Sequence, residues 1–255
     1  DVISKLIHAK EDGAGVLRPD EIPEFVTSML VAGYETTANL ISTCVRLLAT
    51  KPRLAEEVAA DRALVPAFVE EVLRHDGPVQ LLMRRTTRAV ELGGVTLPGG
   101  AMVLPLLGSA NRDERRFVDP DRFDLHREDG AHLAFGQGVH FCLGAALARI
   151  EAQEAVDGVL DLLDALEWLG DPYEPVPALM MRGPSTLRFR RRQARGPARS
   201  ADTDGGVTRR SRRRQRTRTT TLPWTAPAAM CSIARRPSAK SKTWLPTWVN
   251  APRLQ

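Results

Sequence analysis

Cysteine is scarce in this 255-residue chain: Cys44, Cys142 and Cys231 stand far apart, with no Cys-x-x-Cys pair. That spacing argues against a disulfide framework or a zinc site, and it fits a reducing, cytoplasmic setting. No apolar run approaches the roughly 18 residues needed to span a membrane. The first residues are amphipathic and charged rather than leader-like, so no secretory signal is expected. Glycine patterns of the flavin- or nicotinamide-binding kind are also absent. What remains is a chain long enough for one sizeable core or two small ones.

Charge divides the chain in two. Residues 191–255 carry fourteen Arg and two Lys against two Asp, a formal +14, whereas the whole chain is only +5. Residues 1–190 are therefore at −9, an acidic body followed by a basic tail. The tail has no apolar periodicity, an Arg cluster (Arg209, Arg210, Arg212, Arg213, Arg214) and three of the four Trp. A nucleic-acid-binding arm and a disordered extension are both open. The reading preferred is an extension outside the domain's normal frame, with nucleic acid not expected as a partner.

The stretch Ala134-Phe135-Gly136-Gln137-Gly138-Val139-His140-Phe141-Cys142-Leu143-Gly144 is a glycine-broken loop, and a long helical pattern begins at its cysteine. Glycines at 136 and 138 allow a tight fold over a flat object. Cys142 would lie where unpaired backbone N–H groups meet the positive end of a helix dipole, an environment that favours the metal-ligating thiolate. The bland alternative is a small buried hydrophobe.

Upstream, Phe25 to Leu48 reads as a long apolar helix interrupted by Ala32-Gly33-Tyr34-Glu35-Thr36-Thr37. Glycine inside a helix costs about 1 kcal/mol relative to alanine, and a Glu beside a Thr pair adds polar groups that need partners. Such violations often mark a site; a kinked core helix with solvent-facing polar residues is the alternative. Pro52 and Pro66 each open a further helix. The second runs to Asp76, with Gly77-Pro78 as its stop, and it sets Glu71 and Arg74 three apart on one face. By itself that is an ordinary surface pair. From Arg85 to Leu104, glycine turns at Gly93-Gly94 and Gly99-Gly100 separate short strands. A final helix is expected through Leu147, Ile150, Val156 and Leu160 to Trp168.

The cysteine loop resembles the haem-ligating loop of the cytochrome P450 family, whose defined positions are filled by Phe135, Gly136, Gly138, His140, Cys142 and Gly144. Ala32 to Thr37 is similar to that family's oxygen-binding segment, and Glu71-Val72-Leu73-Arg74 to its Glu-x-x-Arg. The resemblance covers residues 1–190 and implies a mainly α fold: a long distal helix, a Glu-x-x-Arg helix, small β-sheets, and the cysteine loop with its following helix. It also implies that the family's N-terminal half is not represented, in keeping with a first helix read as starting mid-element. By the same resemblance the cofactor is haem b (iron protoporphyrin IX) with Cys142 as iron ligand, whose thiolate favours O–O cleavage.

Further roles follow from the resemblance alone. Ala32 and Gly33 would line the oxygen pocket, and Glu35 and Thr36 would deliver protons. Arg84 would reach a haem propionate, with Arg85 an adjacent competitor. Leu81, Leu82, Met83, Leu179 and Met180 would contact substrate. Glu71, Arg74 and Arg122 would form one buried ion network. The implied activity is monooxygenation of an apolar small molecule. Electrons would come from a ferredoxin-type donor and its NAD(P)H reductase. A truncated, non-catalytic fragment is the alternative.

Overall fold

In the computed structural model, residues 1–192 are described, apart from 12, 13, 16, 129 and 171; at 10, 11, 14 and 15 only the backbone is. The tail from 193 onward, with its competing readings, lies outside the described residues. Helix α1 (Val2–His8) is capped by Asp1, whose carboxylate accepts from the Ser4 N–H. After it, β1 (Lys10–Glu11) pairs with β2 (Ala14–Gly15), strands too short to show an alternation in sequence.

Helix α2 (Ile22–Thr50) runs unbroken through the Ala32–Thr37 segment. It ends at Lys51 because the following Pro52 disfavours the helical region there, and the Lys51 N–H closes it on the Leu47 carbonyl at 2.9 Å. Its buried residues, Thr37, Leu40, Cys44, Leu47 and Leu48 among them, recur at helical spacing, but only in the C-terminal half. Helix α3 (Pro52–Ala60) follows, and Asp61 caps a short 3-10 turn by accepting from the Ala63 N–H.

Helix α4 (Val65–Asp76) is buried on almost every side, by Val65, Phe68, Val69, Val72 and Leu73. A helix buried so widely sits at the centre of the core, where its charged side chains need partners. The core joins it to Leu40, Cys44, Leu47 and Leu48 of α2 and to Ala152, Val156 and Leu160 of helix α6 (Ala145–Leu162). Burial pushes the Cys44 thiol far above its ordinary value, so that sulfur is a packing atom. Gly77 ends α4 where the sequence placed the stop, with φ −60° and ψ 150°, the extended state that a following proline imposes. Glycine is needed there because a Cβ would run into the Leu73 carbonyl oxygen.

Four two-stranded antiparallel pairs decorate the described helices. Strand β3 (Arg84–Arg85) pairs with β6 (Met102–Val103). Strands β4 (Val90–Leu92) and β5 (Val95–Leu97) form a hairpin whose Gly93 and Gly94 have φ of 58° and 79°, values closed to most residues. Helix α5 (Leu107–Ala110) leads into a long irregular stretch. At the far end, α6 stops at Leu162 and not at Trp168. After a 3-10 turn, Leu166–Trp168 becomes strand β7, paired with β8 (Phe189–Arg191), and the Trp168 and Phe189 rings meet edge-on at 5.4 Å. That cross-strand pair overrides the helical continuation.

Candidate functional site

The cysteine loop is built by its backbone. Gly136 and Gly138 both have φ of 72°, the left-handed conformation that favours glycine. The Cys142 N–H donates to the Phe135 carbonyl at 2.9 Å, closing the loop, and Gly138–His140 form a 3-10 turn inside it. Helix α6 starts three residues beyond the cysteine, with the Ala145 N–H on the Cys142 carbonyl at 3.3 Å. Cys142 itself is exposed, which rules out the buried-hydrophobe alternative. Around it Val139 is 92% exposed, Leu143 86% and Phe141 53%, while His140 is exposed as well.

The loop's position is fixed from behind by a polar network on α4. Arg74 grips Glu71 through two parallel bonds, Nε to Oε2 at 2.7 Å and Nη2 to Oε1 at 2.8 Å. The two side chains are 1% and 4% exposed, so the pair is not a surface one. Arg74 also donates to the carbonyls of Asn111, Pro120 and Arg122 at 2.9, 2.9 and 3.1 Å. Asn111 passes the connection on: it is buried, and its Oδ1 accepts from the Leu133 N–H at 2.7 Å. The Leu133 carbonyl in turn accepts from the Gly136 N–H at 2.9 Å. A continuous hydrogen-bonded path thus leads from Glu71 to the first loop glycine.

The third arginine of this network is not Arg122. That side chain is 67% exposed and pairs with Asp124 at 3.3 Å, so only its carbonyl takes part. Arg127 has the buried place: it is 7% exposed, lies 3.4 Å from Glu71, and donates to the carbonyls of Val118, Asp119 and Arg122. Both arginines lie in an irregular stretch, where no periodicity tells an inward residue from an outward one.

Elsewhere the distal candidates lie along one helix. Ala32 and Gly33 are exposed, and open space surrounds Gly33. The Thr36 hydroxyl donates back to the Ala32 carbonyl at 2.6 Å, within the helix ladder, and Glu35 is half-buried. The nearby Leu30, Val31 and Tyr34 are exposed, as are Leu147 and Ile150 on α6. Helices α2 and α6 therefore bury their C-terminal halves in one core and leave apolar side chains uncovered at their N-terminal ends.

The two expected substrate segments are brought side by side. The Gln80 N–H donates to the Met180 carbonyl at 2.9 Å, the Arg182 N–H to the Pro78 carbonyl at 2.7 Å, and Val79 bridges Met181. Leu81 is buried and Leu82 and Met180 are half-buried, whereas Met83 and Leu179 are exposed. Beneath this junction Asp76 pairs with Arg46 at 2.6 Å and with Arg182 at 3.0 Å, a triad with no signature in the sequence. Arg84 is exposed and donates to the Met83 carbonyl at 3.0 Å; Arg85 donates to the Gly100 carbonyl at 3.1 Å.

Among the described residues no group of three or more His, Cys, Asp or Glu side chains converges as a metal site, and no helix is long and apolar enough to cross a membrane. A single exposed cysteine flanked by apolar side chains could hold a metal only as one ligand among others that an apolar group would bring with it.

Comparisons with known proteins point to one family. The family model described as Cytochrome P450 matches residues 1–164. The chain is similar to cyclomarin C epoxidase CymV of Salinispora arenicola, 43% identical over 189 residues, which covers 74% of this chain and 48% of that protein. It is 46% identical over 173 residues to cytochrome P450 107B1 of Saccharopolyspora erythraea, covering 68% and 42%. Among solved structures, CYP109E1 of Bacillus megaterium in complex with testosterone superposes with a TM-score of 0.71 at 40% identity, covering 75% of this chain and 53% of that one. The chain spans about half the length of the relatives it matches.

Proposed function

The chain belongs to the cytochrome P450 family, and on that premise we propose that it is the C-terminal, thiolate-bearing half of a haem monooxygenase acting on an apolar small molecule. Haem, when bound, supplies the iron at which oxygen is activated. The residues present fit it. Cys142 offers one exposed sulfur at the end of a loop shaped by two left-handed glycines and backed by a buried ion pair. That presentation is the observation that carries the reading.

The remaining roles belong to this chain's own side chains. Val139, Phe141 and Leu143 around the sulfur, and Leu30, Val31, Ala32 and Gly33 on α2, would exclude water from the bound group. Thr36 Oγ1 would hold a proton toward the oxygen pocket once released from the Ala32 carbonyl, with Glu35 exchanging that proton with solvent. Arg84 would pair with a propionate. Leu81, Leu82, Met83, Leu179 and Met180 would supply the apolar wall that faces substrate. Relatives named as an epoxidase and as hydroxylases, the erythromycin C-12 and 6-deoxyerythronolide B enzymes among them, support oxygen insertion as the reaction class. A ferredoxin-type donor with its reductase would provide electrons.

A second reading has its own observation. The apolar side chains uncovered at the N-terminal ends of α2 and α6, on a chain that spans half of its relatives, fit a fragment that cannot close a pocket by itself. One titration separates the two. Haem is added to the purified chain, reduced and exposed to carbon monoxide. A strongly red-shifted Soret band that disappears in Cys142→Ala supports thiolate-bound haem; failure of the unaltered chain to take up haem sinks independent catalysis.

A further inference from the structure

Two adjacent acids on α4 face different ways. Glu71 joins the buried arginine network, whereas Glu70 turns toward α6 and the cysteine loop. Glu70 accepts from Arg149 Nε at 2.6 Å and from Arg149 Nη2 at 2.9 Å. Its Oε2 lies 3.1 Å from His132 Nε2. The Ala134 N–H donates to His132 Nδ1 at 3.2 Å, which leaves the imidazole proton on Nε2, pointed at Glu70. The Arg149 guanidinium in turn lies over the Phe135 ring, 4.5 Å from its centroid. Phe135 is the residue whose carbonyl holds the Cys142 N–H, and its ring meets Phe141 at 6.4 Å.

We propose that Glu70, Arg149 and His132 are positioning residues that clamp Phe135 and so fix the height and direction at which Cys142 is presented. The clamp grips the loop at both ends of one short segment: His132 through the Ala134 N–H, Arg149 through the Phe135 face. A guanidinium over an aromatic face is attracted by the ring's electron-rich face, and the forked Arg–carboxylate bond fixes its plane. Electrostatics agree with the geometry. Burial alone would raise the Glu70 carboxyl, but the hydrogen bonds from His132 and Arg149 outweigh it and bring it down to about 2. The hydrogen-bonded Glu70 carboxylate holds the Arg149 guanidinium above its ordinary value against its burial, with a smaller contribution from the Cys142 sulfur.

What the clamp is for rests on Cys142 being the iron ligand; the clamp itself is tested without haem. Amide hydrogen exchange is compared in the unaltered chain, Arg149→Gln, Glu70→Gln and the conservative Arg149→Lys. Local opening sets such rates, so the Gln variants are expected to speed exchange at Gly136 and Cys142 by about tenfold or more, with Val72, Leu73 and Val156 unchanged. Arg149→Lys, which keeps a cation for Glu70 and Phe135, is expected to restore most of the protection. Loop and core amides loosening together, or neither loosening, overturns the proposal. In haem-loaded protein the Gln variants should lose part of the red-shifted carbon monoxide band and the Lys variant regain it; an intact band over a loosened loop removes the positioning role. No haem uptake by the unaltered chain bears on the monooxygenase reading alone, since exchange still decides the clamp.

Discussion

Replacing Arg74 by leucine removes a side chain with five hydrogen bonds: two to Glu71 and one each to the carbonyls of Asn111, Pro120 and Arg122. Glu71 then stays buried at 4% exposure, with the Asp124 N–H at 2.8 Å and Arg127 at 3.4 Å as partial compensation. Breaking a buried pair by removing one partner costs about 3–5 kcal/mol. The Asn111 and Pro120 carbonyls lose a donor as well, but the Arg122 carbonyl keeps Arg127, and Glu71 keeps the Asp124 N–H and Arg127, which offsets those losses and leaves the total in the lower part of that range. A loss of about 3–4 kcal/mol is therefore expected, a large share of the roughly 5–15 kcal/mol that holds a domain together. At about 2–4 °C per kcal/mol this is a Tm drop of about 6–16 °C. Urea unfolding followed by far-UV circular dichroism at neutral pH reads it as a shift in midpoint. The double variant Glu71→Leu/Arg74→Leu removes the stranded anion as well and should recover about 1–2 kcal/mol. An Arg74→Leu variant within about 1 kcal/mol of the unaltered chain, or a double variant no more stable than the single one, would show that the buried pair does not hold this region together.

The exchanged roles of the two loop arginines make a paired prediction. Arg127→Ala should cost about 2–4 kcal/mol in urea unfolding because it strips a buried cation from Glu71 and three carbonyls, while Arg122→Ala should stay within about 0.5 kcal/mol. Gly183→Ala would drive a Cβ into the side chain of buried Asn39, 2.7 Å from Cγ and 2.9 Å from its Cβ. Thermal unfolding should report a loss of about 1–3 kcal/mol, recovered in part by Asn39→Ala. His75 carries a pH signature: burial pushes its imidazole below its ordinary value, with the Arg112 and Arg74 cations adding to this against the raising bond to Asp121. Arg112 Nη2 lies 3.1 Å from His75 Nδ1 and Asp121 O 3.0 Å from Nε2, a neutral-ring pattern. The unfolded chain then binds the proton first, so stability is full above the ordinary histidine value and falls as pH drops below about 6.5, at no more than about 1.4 kcal/mol per pH unit. His75→Asn should flatten the pH 7 to 5 part of the stability curve.

Helix boundaries at Pro52 and near Pro66, the Gly93-Gly94 hairpin and the left-handed loop glycines were legible because each is a local matter of proline or glycine backbone preference. So was the mainly helical fold with small antiparallel sheets. Long-range pairing was not. Trp168 continues a helical pattern, and only a strand twenty-one residues further on makes it β. Arg122 and Arg127 occupy the same irregular stretch, and which one turns inward depends on carbonyls that no pattern advertises. Asn111 reads as an ordinary polar loop residue until its side chain is seen holding the Leu133 N–H. The one available signal for the clamp was the Glu70-Glu71 pair itself: neighbours on a helix project about 100° apart, so two acids on a mostly apolar helix need two separate partners.

That division of labour on α4 bears on what half of a family fold can do. Every contact described here that sets the position of Cys142 lies between residues 70 and 149: Glu71 through Arg74, Asn111 and Leu133, and Glu70 through Arg149 and Phe135. The helix that bears both acids is packed into the core by Phe68, Val69, Val72 and Leu73. Presentation of Cys142 is thus supported by contacts internal to this chain. Closure of a pocket would draw on the N-terminal ends of α2 and α6, whose Leu30, Val31, Leu147 and Ile150 are uncovered. The two properties are separable, and a variant can lose one and keep the other. Polar substitutions at Leu30 and Leu147 should weaken haem retention while leaving the exchange protection of the Cys142 amide intact, whereas Arg149→Gln should loosen that amide first. Parallel loss of both in either variant would mean that presentation and closure are one cooperative unit.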